Sequence, residues 1–461
     1  MKKHSLIFVL ACMALCLAPL LGMLFRPTTQ STENRAMAEF PALTARDGGV
    51  NLDFFPGLEA WFNDHFAFRN ELVYADALVQ GELFHVSSVE SVVYGKDGWL
   101  FYASTLNDYL GREPLSEREL HNLAHNLALV SDYVQQRGAR FLFCVPPNKN
   151  TLYGQFMPDW ADGAAGGEHN MEKLEPLLRE YGVPYADLLA LFRAEDEILY
   201  LKRDSHWNNK GAVLAADCLL DALGCPHEDY SAAEVMRARD ADGDLNRMLY
   251  TLYGEKSVDY HYAIPQRFRY AAPDADVEDG WLETAGGSGN PSLLMFRDSF
   301  GNTLIPLLAN DFEQAWFSKE MPCGLEPRMD RLQPQVVVME KVERNIAEYL
   351  TMPPILSAPQ AELPPAEAQI EAEAALRLAP LDYDRDYWQL SGELDPALLE
   401  ARTQIFVRVN GLAYAAYHTG ENGFVLYLRR EALRLPAEVE VLLQNGEHWS
   451  ALPAREVEES P

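Results

Sequence analysis

Two short polar clusters in the sequence hold a hydroxyl, an imidazole and a carboxylate that together could do nucleophilic chemistry. The first surrounds Ser299, shortly after the apolar stretch 293–296. The second contains Asp204 and His206, two positions apart. A serine hydroxyl is a weak nucleophile until a base accepts its proton, and the base works better when a carboxylate fixes its tautomer. The sequence therefore offers Ser299 as a candidate nucleophile, His206 as its base and Asp204 as the group that orients the base.

Each of these residues also has a simpler structural explanation. A serine that opens a helix is usually an N-cap, and a single histidine is more often structural than catalytic. The combination favours chemistry, because both clusters are predicted at strand ends. Extended backbone at 204–206 would put Asp204 and His206 on one face, within reach of Ser299. Backbone N–H groups at the start of the helix after Ser299 could then stabilise an oxyanion.

Alternating strands and helices are predicted to position the two clusters. Strands are expected at 140–145, 198–201, 293–296 and 335–339, and the helices between them at 116–136, 171–181 and 209–223. Ser116 and Glu119 match a capping box at the start of the first helix. This alternation predicts an α/β fold, a doubly wound parallel sheet covered on both faces. Chemistry in such sheets collects at the carboxyl ends of the strands.

The N-terminus predicts a membrane anchor. Residues 5–25 carry no charge and follow a basic start with Lys2 and Lys3. As a helix they would span roughly 32 Å, close to the ~30 Å of a bilayer core. The basic start keeps the N-terminus cytoplasmic, so we expect a single-pass transmembrane signal-anchor at 1–29 and an extracytoplasmic remainder. A cleaved signal peptide, which would make the protein secreted, is the alternative.

Composition limits the class of protein. The chain has 69 acidic and 38 basic residues and a formal net charge of −31, so its surface repels phosphate backbones and nucleic-acid binding is not expected. Its six cysteines include no C-x-x-C pair, and neither a metal site nor a cofactor is predicted. Cys218 and Cys225 are close enough in sequence for a local disulfide, but free buried thiols explain them equally well.

Proline content marks a boundary in the chain. Six prolines with a run of Glu and Ala at 353–380 predict a stiff linker. Residues 30–352 before it form the expected main domain. Residues 381–461 after it are predicted to form a small all-β domain, with a turn at Asn410 and Gly411. This small domain either binds glycan or only packs against the rest of the chain.

The order of the motifs resembles that of a bacterial protein family. Over roughly residues 30–350 the sequence is similar to SGNH hydrolase-like proteins of the alginate O-acetyltransferase type and to the related DHHW proteins. The matching motifs are the runs at 33–35, 63–69, 94–101, 145–149 with Tyr153, 204–207, 298–300 and 343–345. The histidine motif precedes the serine motif, as in the alginate-acetylation branch. Ser205 stands where the DHHW name expects His, which supports His206 as the base, and Arg297 stands where SGNH esterases usually have Gly.

The resemblance implies a triad of Ser299, His206 and Asp204 and an acyl-serine intermediate. It implies O-acyl transfer, most readily O-acetyl transfer, to a surface or secreted polysaccharide of the cell envelope. Because the acyl donor must cross the membrane, the expected partner is a multi-span membrane acyltransferase beside the N-terminal helix. Two alternatives stay open. One is a carbohydrate esterase with the same triad, and the other is a non-catalytic glycan-binding or scaffold protein of a polysaccharide assembly system.

Five further residues are candidates for contact with substrate. They lie next to the two clusters or just after the strand at 140–145, and they are Lys149, Tyr153, Trp207, Arg297 and Asn302. For the first two a structural role is equally supported, and for Trp207 core packing is favoured over stacking on a sugar. Arg344 could also line the cleft, but an ion pair with Glu340 or Glu343 is the preferred interpretation.

Overall fold

The computed structural model describes residues 3–28, 37–45, 48–162, 169–250 and 252–460. The motif at 33–35 lies outside these residues. The helices, in chain order, are α1 (Lys3–Gly22), α2 (Phe54–His65), α3 (Arg69–Leu78), α4 (Leu106–Tyr109), α5 (Glu117–Gln136), α6 (Lys149–Tyr153), α7 (Asp159–Asp162), α8 (Asn170–Glu180), α9 (Leu188–Arg193), α10 (Asn209–Ala222), α11 (Asp244–Leu249), α12 (Ile305–Asp311), α13 (Leu325–Leu332) and α14 (Glu348–Thr351).

An apolar helix, α1, leads into an arm formed by α2 and α3. Its described side chains are largely exposed, and Phe8 is 70% exposed. Within the parts of the chain that the structure describes, no helix combines the length and the apolar character needed to cross a bilayer. The predicted transmembrane helix is therefore not confirmed and stays a prediction. The end of α1 packs tightly on the arm, because a Cβ on Gly22 would lie 2.6 Å from the Cβ of Ala67.

The strands of the main domain begin with a short hairpin. In chain order they are β1 (Val92–Tyr94), β2 (Leu100–Tyr102), β3 (Arg140–Cys144), β4 (Tyr185–Ala186), β5 (Val235–Ala241), β6 (Ser257–Tyr262), β7 (Arg269–Tyr270), β8 (Trp281–Ala285), β9 (Asn290–Phe296), β10 (Phe312–Ser318) and β11 (Val336–Glu340). β1 and β2 pair antiparallel, and Asp97 and Gly98 in their turn have φ of 54° and 74°. Glycine takes such a left-handed conformation without a steric penalty. β5 and β6 form a two-stranded antiparallel sheet apart from the central sheet.

The central sheet has seven strands in the order β4-β3-β11-β9-β10-β8-β7. The first five run parallel, whereas β8 pairs antiparallel with both β10 and β7. The predicted parallel sheet is therefore confirmed for its main part but carries an antiparallel extension. The reason lies in the connections: no helix separates β7 from β8, and a parallel pair needs a long crossover.

Each face of this sheet has its own apolar core. In β3, Leu142 and Cys144 pack on one side with α10 and α12, whereas Phe141 and Phe143 pack on the other with α5 and α8. Successive side chains of a strand point to opposite faces, so a strand covered on both sides must be apolar throughout. The predicted cover on both faces is confirmed.

The predicted strand at 198–201 is not part of the sheet. Tyr200 and Trp207 form a single antiparallel bridge, and the Asn208 N–H donates to the Leu199 carbonyl at 2.8 Å. The chain between them turns back on itself. An apolar run this short does not distinguish a strand from a buried loop. Asp204 and His206 therefore lie in a compact loop, and the prediction of extended backbone at a strand end is wrong.

The two cysteines that could have formed a disulfide are separate thiols. Cys225 is buried, Cys218 is half-buried, and neither is bonded. Both pack in the core that contains α10, so the free-thiol alternative is confirmed.

The C-terminal region is β-rich, as predicted. Its strands are β12 (Ala368–Gln369), β13 (Ala375–Pro380), β14 (Tyr387–Glu393), β15 (Gln404–Val409), β16 (Leu412–Ala415), β17 (Tyr417–Thr419), β18 (Gly423–Arg429), β19 (Ala437–Asn445), β20 (His448–Ala451) and β21 (Arg455–Val457). One sheet has the order β12-β20-β19-β15-β16 with β21 also on β19, and the other β13-β14-β18-β17. The two share one apolar core. β12 and β13 fall inside the predicted linker 353–380, whose second half therefore belongs to these sheets.

Helix α5 connects the main domain to the C-terminal sheets. Its start is the predicted capping box, since the Ser116 Oγ accepts the Glu119 N–H at 3.2 Å and the Glu119 carboxylate accepts the Ser116 N–H at 2.9 Å. On its buried side, Arg118 donates to the backbone carbonyls of Glu400 at 2.7 Å and Glu421 at 2.5 Å. These bonds tie the C-terminal sheets to the helix.

Candidate active site

Ser299 lies just beyond the end of β9, at the carboxyl edge of the central sheet. Its turn is held by the preceding carboxylate: Asp298 accepts the N–H of Phe300 at 2.9 Å and the N–H of Val342 at 2.8 Å. The Asp298 N–H donates in turn to Glu340, at the end of β11, at 2.9 Å. β9 and β11 are thereby tied together behind Ser299, so the sheet sets the position of the hydroxyl.

A buried lysine holds the loop that carries the other two candidates. The Lys149 Nζ donates to four backbone carbonyls at 2.7–2.9 Å, those of Leu100, Leu201, Lys202 and Asp204. A loop that turns several carbonyls inward needs donors, and an ammonium supplies three N–H groups. Burial lowers the pKa of Lys149 to about 7, although the charges of Asp204 and Asp244 favour its charged form. Lys149 thus sets the course of the backbone that leads to Asp204.

The three predicted residues form one hydrogen-bonded chain. The Ser299 Oγ lies 2.8 Å from His206 Nε2, and His206 Nδ1 lies 2.7 Å from Asp204 Oδ1. The His206 N–H donates to the same Asp204 oxygen at 2.8 Å, so the two side chains meet without extended backbone. The Phe300 ring packs 4.8 Å from the imidazole. With Nδ1 donating to the carboxylate, Nε2 is the acceptor for the serine proton.

The charges at the site favour a basic imidazole. Burial raises the pKa of Asp204, but the hydrogen bond and charge of His206 outweigh burial and hold that pKa at about 2. Burial lowers the pKa of His206, but the hydrogen bond and charge of Asp204 outweigh burial and raise it from 6.5. The imidazole can therefore accept the Ser299 proton and later return it to a leaving group.

One backbone donor beside the hydroxyl is available for an oxyanion. Within the described residues, the Ser299 N–H has no hydrogen-bond acceptor. The Phe300 N–H, in contrast, is occupied by Asp298. Of the two N–H groups at the helix start, that of Phe300 is therefore not available to an oxyanion, whereas that of Ser299 has no competing acceptor among the described residues.

A second carboxylate, which the sequence analysis did not single out, lies at the imidazole. Asp244 Oδ2 is 3.5 Å from His206 Nδ1, and the Asp244 N–H donates to Asp204 Oδ2 at 2.8 Å. Asp244 is the first residue of the short helix α11, and no local pattern in the sequence marks it as a partner of His206. The carboxylate oxygens of Asp204 and Asp244 and the ring nitrogen of His206 form a cluster in which these atoms lie within 4.8 Å of one another. Hydrogen bonds within the protein already engage His206 Nδ1 and both Asp204 oxygens.

Lys149 and Tyr153 are engaged inside the protein. Lys149 is 4% exposed and Tyr153 9% exposed. The Tyr153 hydroxyl accepts the N–H of Leu199 at 2.7 Å, and its ring packs 5.4 Å from that of Trp99. The structure therefore supports the structural interpretation of both residues over contact with substrate.

Trp207 lies in the core behind the imidazole. It is 1% exposed, and its Nε1 donates to Thr303 Oγ1 at 2.6 Å. Its ring meets that of Phe300 edge-on, with ring centroids 5.1 Å apart. This placement supports core packing and leaves no face of the indole for a sugar.

Arg297 and Asn302 connect the loop at 277–279 to the turn around Ser299 by hydrogen bonds. Arg297 is 3% exposed and donates to the carbonyls of Val277 at 2.8 Å and Asp279 at 3.0 Å, and to the Asn302 side-chain oxygen. The Asn302 amide donates to Glu278 at 2.8 Å. The Arg297 guanidinium, which stands where SGNH esterases usually have glycine, is thus buried and hydrogen-bonded to the loop at 277–279, and it does not face a substrate.

Arg344 is the cation that lies over the site. Among the ion pairs of the described residues there is none between Arg344 and Glu340 or Glu343, so the preferred interpretation of that side chain is wrong. Both glutamates are instead occupied by backbone N–H groups, at 2.9 Å and 2.6 Å. The Arg344 guanidinium lies 5.4 Å from the centre of the Tyr102 ring and 5.7 Å from that of Phe300, and its charge opposes protonation of His206.

Comparison with known proteins agrees with the resemblance of the motifs. Residues 92–288 match the family described as "SGNH hydrolase-like domain, acetyltransferase AlgX". Two curated relatives are the probable alginate O-acetylases AlgJ of Pseudomonas putida, 28% identical over 138 residues, and of Pseudomonas syringae pv. tomato, 27% identical over 137 residues. The alignments cover 29% of this chain and 34% and 33% of the relatives, so the chain spans about a third of their length.

Solved structures of low identity also match. A DHHW family protein from Eubacterium siraeum is 14% identical, covers 55% of this chain and 94% of its own, and gives a TM-score of 0.42. PatB1 of Bacillus cereus is 16% identical, covers 55% and 96%, and gives 0.43. AlgX of Pseudomonas aeruginosa is 13% identical, covers 80% and 97%, and gives 0.37. The resemblance predicted from the motifs is confirmed: over residues 92–288 this chain is similar to the SGNH hydrolase-like acetyltransferases of the AlgX type.

Proposed function

We propose that this protein transfers an O-acyl group, most readily acetyl, to a polysaccharide hydroxyl outside the cytoplasm. The observation that carries the proposal is the chain of hydrogen bonds from Ser299 Oγ through His206 to Asp204, at 2.8 Å and 2.7 Å. Asp204 and His206 belong to the segment that is similar to an acetyltransferase family, and Ser299 lies just beyond its end at residue 288.

The proposed reaction has two halves that use the same three side chains. In the first, the Ser299 Oγ attacks the acyl carbonyl of a donor ester while His206 Nε2 takes the hydroxyl proton. The Ser299 N–H is placed to stabilise the negative oxygen that forms. The donor alcohol then leaves with the proton from His206, and an acyl-serine remains.

In the second half, a sugar hydroxyl replaces the donor alcohol. His206 removes the proton of that hydroxyl, the sugar oxygen attacks the acyl-serine, and Ser299 leaves with the proton. Asp204 stays ionised throughout and stabilises the imidazolium that forms in each half. The net charge of −31 favours a neutral or weakly charged acceptor glycan over a polyanion, because like charges repel.

The proposed setting is the outer side of the cytoplasmic membrane. The uncharged run at 5–25 after a basic start supports a single-pass anchor with an extracytoplasmic main domain. Membrane fractionation and reporter fusions at either end test this orientation, and a cytoplasmic location of the C-terminal reporter contradicts it. A multi-span membrane acyltransferase is the proposed source of the acyl group, and its co-purification with the full chain is the corresponding test.

The main experiment uses the full chain and the variant Ser299→Ala. Acetyl transfer to a glycan and release of acetate from a chromogenic ester are measured together, and mass spectrometry is used to find acetyl on Ser299. Ser288→Ala, which removes an exposed hydroxyl near the same strand, is the matched control. We expect loss of both activities in Ser299→Ala alone. Unchanged activity in that variant would show that the triad assignment is wrong.

The second candidate function is a carbohydrate esterase with the same three residues. The His206 side chain is 25% exposed, so water can reach the base as well as a sugar can. Product ratios measured with and without glycan acceptor distinguish the two functions. Acetate release that an excess of acceptor does not reduce favours the esterase.

The remaining alternative is a non-catalytic glycan-binding or scaffold protein. This alternative would be favoured if Ser299 lay outside hydrogen-bond reach of His206. The distance of 2.8 Å between Ser299 Oγ and His206 Nε2 does not favour it. Glycan binding without any acyl chemistry in the main experiment would favour it.

A further inference from the structure

The loop that carries Asp204 is clamped by the start of α11. A Cβ on Gly243 would lie 2.0 Å from the Arg203 carbonyl oxygen, so only glycine allows the two backbones to come this close. The Asn246 N–H donates to the same carbonyl at 3.0 Å. The segment 243–246 is therefore seated on the loop at a fixed distance, although the two are far apart in sequence.

The clamp delivers the Asp244 carboxylate to the imidazole. Asp244 Oδ1 accepts the Ser205 N–H at 2.7 Å, and Oδ2 accepts the Ser205 hydroxyl. The same Oδ2 lies 3.5 Å from His206 Nδ1, and the Ser205 Oγ lies 3.3 Å from that nitrogen. The Asp244 N–H occupies the second oxygen of Asp204. Every polar group around Nδ1 is thus held in place by a contact with residue 244.

We propose that Asp244 is a positioning residue, which orients His206 through Ser205 and Asp204 and places a second negative charge beside the imidazolium formed in the reaction. This inference rests on the proposed function of the triad. When the Ser299 O–H bond breaks and an N–H bond forms on Nε2, the ring becomes positive. Both carboxylates face its Nδ1 edge and stabilise that charge.

The charged groups around His206 come from several elements. Asp204 lies on its own loop and Asp244 on α11, and their charges raise the pKa of His206 against the effect of burial. Arg344 lies over the Phe300 ring, and its charge lowers the pKa of His206. Glu278 also interacts electrostatically with His206. Asp244 is therefore one of the negative groups whose charge favours the protonated ring.

A simpler role for Asp244 is local stabilisation of α11. Its Oδ1 also accepts the Leu245 N–H at 2.6 Å, as carboxylates in the first turn of a helix often do. That role would leave the base strength of His206 unaffected by the charge of residue 244. The two roles therefore differ in a measurable property of another side chain.

The variant Asp244→Asn separates them. Asparagine keeps the Oδ1 acceptor and the backbone N–H to Asp204, but it removes the charge and replaces the Oδ2 that accepts the Ser205 hydroxyl by an amide NH2. A unit charge at 3.5 Å corresponds to about one pH unit even when it is screened as in water, and this is the smallest shift expected for two side chains that are only 25% and 22% exposed. In the full chain with labelled histidine, we expect the NMR titration of His206, assigned with His206→Gln, to move down by about that amount.

Activity provides the second readout. On a chromogenic acetyl ester, the acid limb of the pH profile of kcat/KM should move to lower pH with the titration, and kcat should fall about three- to tenfold with little change in KM. Asp242→Asn, which neutralises an exposed carboxylate two positions earlier, should change neither quantity. In Asp244→Glu, which keeps the negative charge, the acid limb should lie closer to that of the wild type than in Asp244→Asn.

Two outcomes overturn the proposal. One is an Asp244→Asn protein with native circular dichroism whose His206 titrates as in the wild type. The other, decisive also where Asp244→Asn does not fold, is an unchanged kcat in Ser205→Ala, which removes the hydroxyl between Asp244 and the ring. The NMR titration does not require turnover, so a failure of the proposed function, seen as wild-type protein without any acyl chemistry, is distinguishable from a failure of this inference.

Discussion

Lys149→Met tests whether the loop that carries Asp204 depends on one buried ammonium. Methionine is unbranched and of similar length, so it keeps the packing of the side chain beside Trp99. It removes the charge and every N–H donor. In the native protein Nζ is within 2.7–2.9 Å of four carbonyls, and the residue is 4% exposed. Water cannot replace the lost donors without opening the loop.

Two effects of opposite sign decide the stability of this variant. Hydrogen bonds from a charged donor contribute about 1.5–3 kcal/mol each, so the loss of three costs about 4–9 kcal/mol. The variant also avoids the desolvation of an ammonium. That cost appears in the pKa, which burial lowers from 10.5 to about 7, and it corresponds to about 5 kcal/mol. The hydrogen bonds win, and we expect a net loss of about 2 kcal/mol in the free energy of unfolding.

The assay is urea unfolding of the full chain followed by tryptophan fluorescence, near about pH 6, where the native lysine is charged. Ester hydrolysis is measured in parallel, and kcat should fall at least about tenfold because a displaced loop misplaces Asp204. Lys256→Met is the matched control, since that exposed lysine contacts one carbonyl at 3.2 Å. A Lys149→Met protein as stable as the wild type, or more stable, would refute the reasoning, because burial cost would then outweigh the carbonyl contacts.

Three further predictions concern the charges and contacts around the site. The acid limb of kcat/KM should lie above pH 6.5, because burial of His206 is outweighed by Asp204 and its pKa is raised; a profile between about pH 5 and about pH 9 measures it. Arg344→Met removes a charge that lowers that pKa, so the limb should move to higher pH. Arg118→Met removes donors to Glu400 and two other carbonyls, and urea unfolding should show a loss of about 2–4 kcal/mol.

Each of these three predictions has an outcome that contradicts it. An acid limb below pH 6.5 would mean that burial has a larger effect on the pKa of His206 than Asp204 has. An acid limb that does not move in Arg344→Met would show that the charge of Arg344 does not affect the pKa of His206. Unchanged unfolding of Arg118→Met, compared with the exposed Arg112→Met as control, would show that α5 does not hold the C-terminal sheets through this side chain.

Local patterns predicted much of the fold. Ser116 and Glu119 form the capping box because both partners lie within one helical turn. The hairpin around Asp97 and Gly98 follows from turn chemistry. The apolar strand before Ser299 is recognisable because a strand covered on both faces must be apolar throughout. These features depend on neighbours a few residues away, so the sequence contains their full cause.

Predictions failed where the outcome depended on distant partners. The run at 198–201 has the composition of a strand, yet it lies outside the central sheet, and the chain turns directly after it, where Lys149 donates to the carbonyls of Leu201, Lys202 and Asp204. Arg344 was expected to pair with a glutamate. It does not: one oxygen of Glu340 and one of Glu343 accept the backbone N–H groups of Asp298 and Asn148, and burial raises the pKa of both carboxyls, which disfavours the charged form that an ion pair needs. Neither arrangement is visible in the sequence near the residues concerned.

The sequence by itself determined the identities of the nucleophile, the base and its carboxylate as candidates, and the strand that ends before Ser299. Only the tertiary structure decided that Ser299 and His206, 93 positions apart, come within 2.8 Å. It alone brought Asp244 to the same imidazole. The physical reason is that local sequence patterns constrain only residues that are near one another along the chain. Packing of the sheet and the glycine-dependent clamp at Gly243 fix distances between segments that share no local pattern.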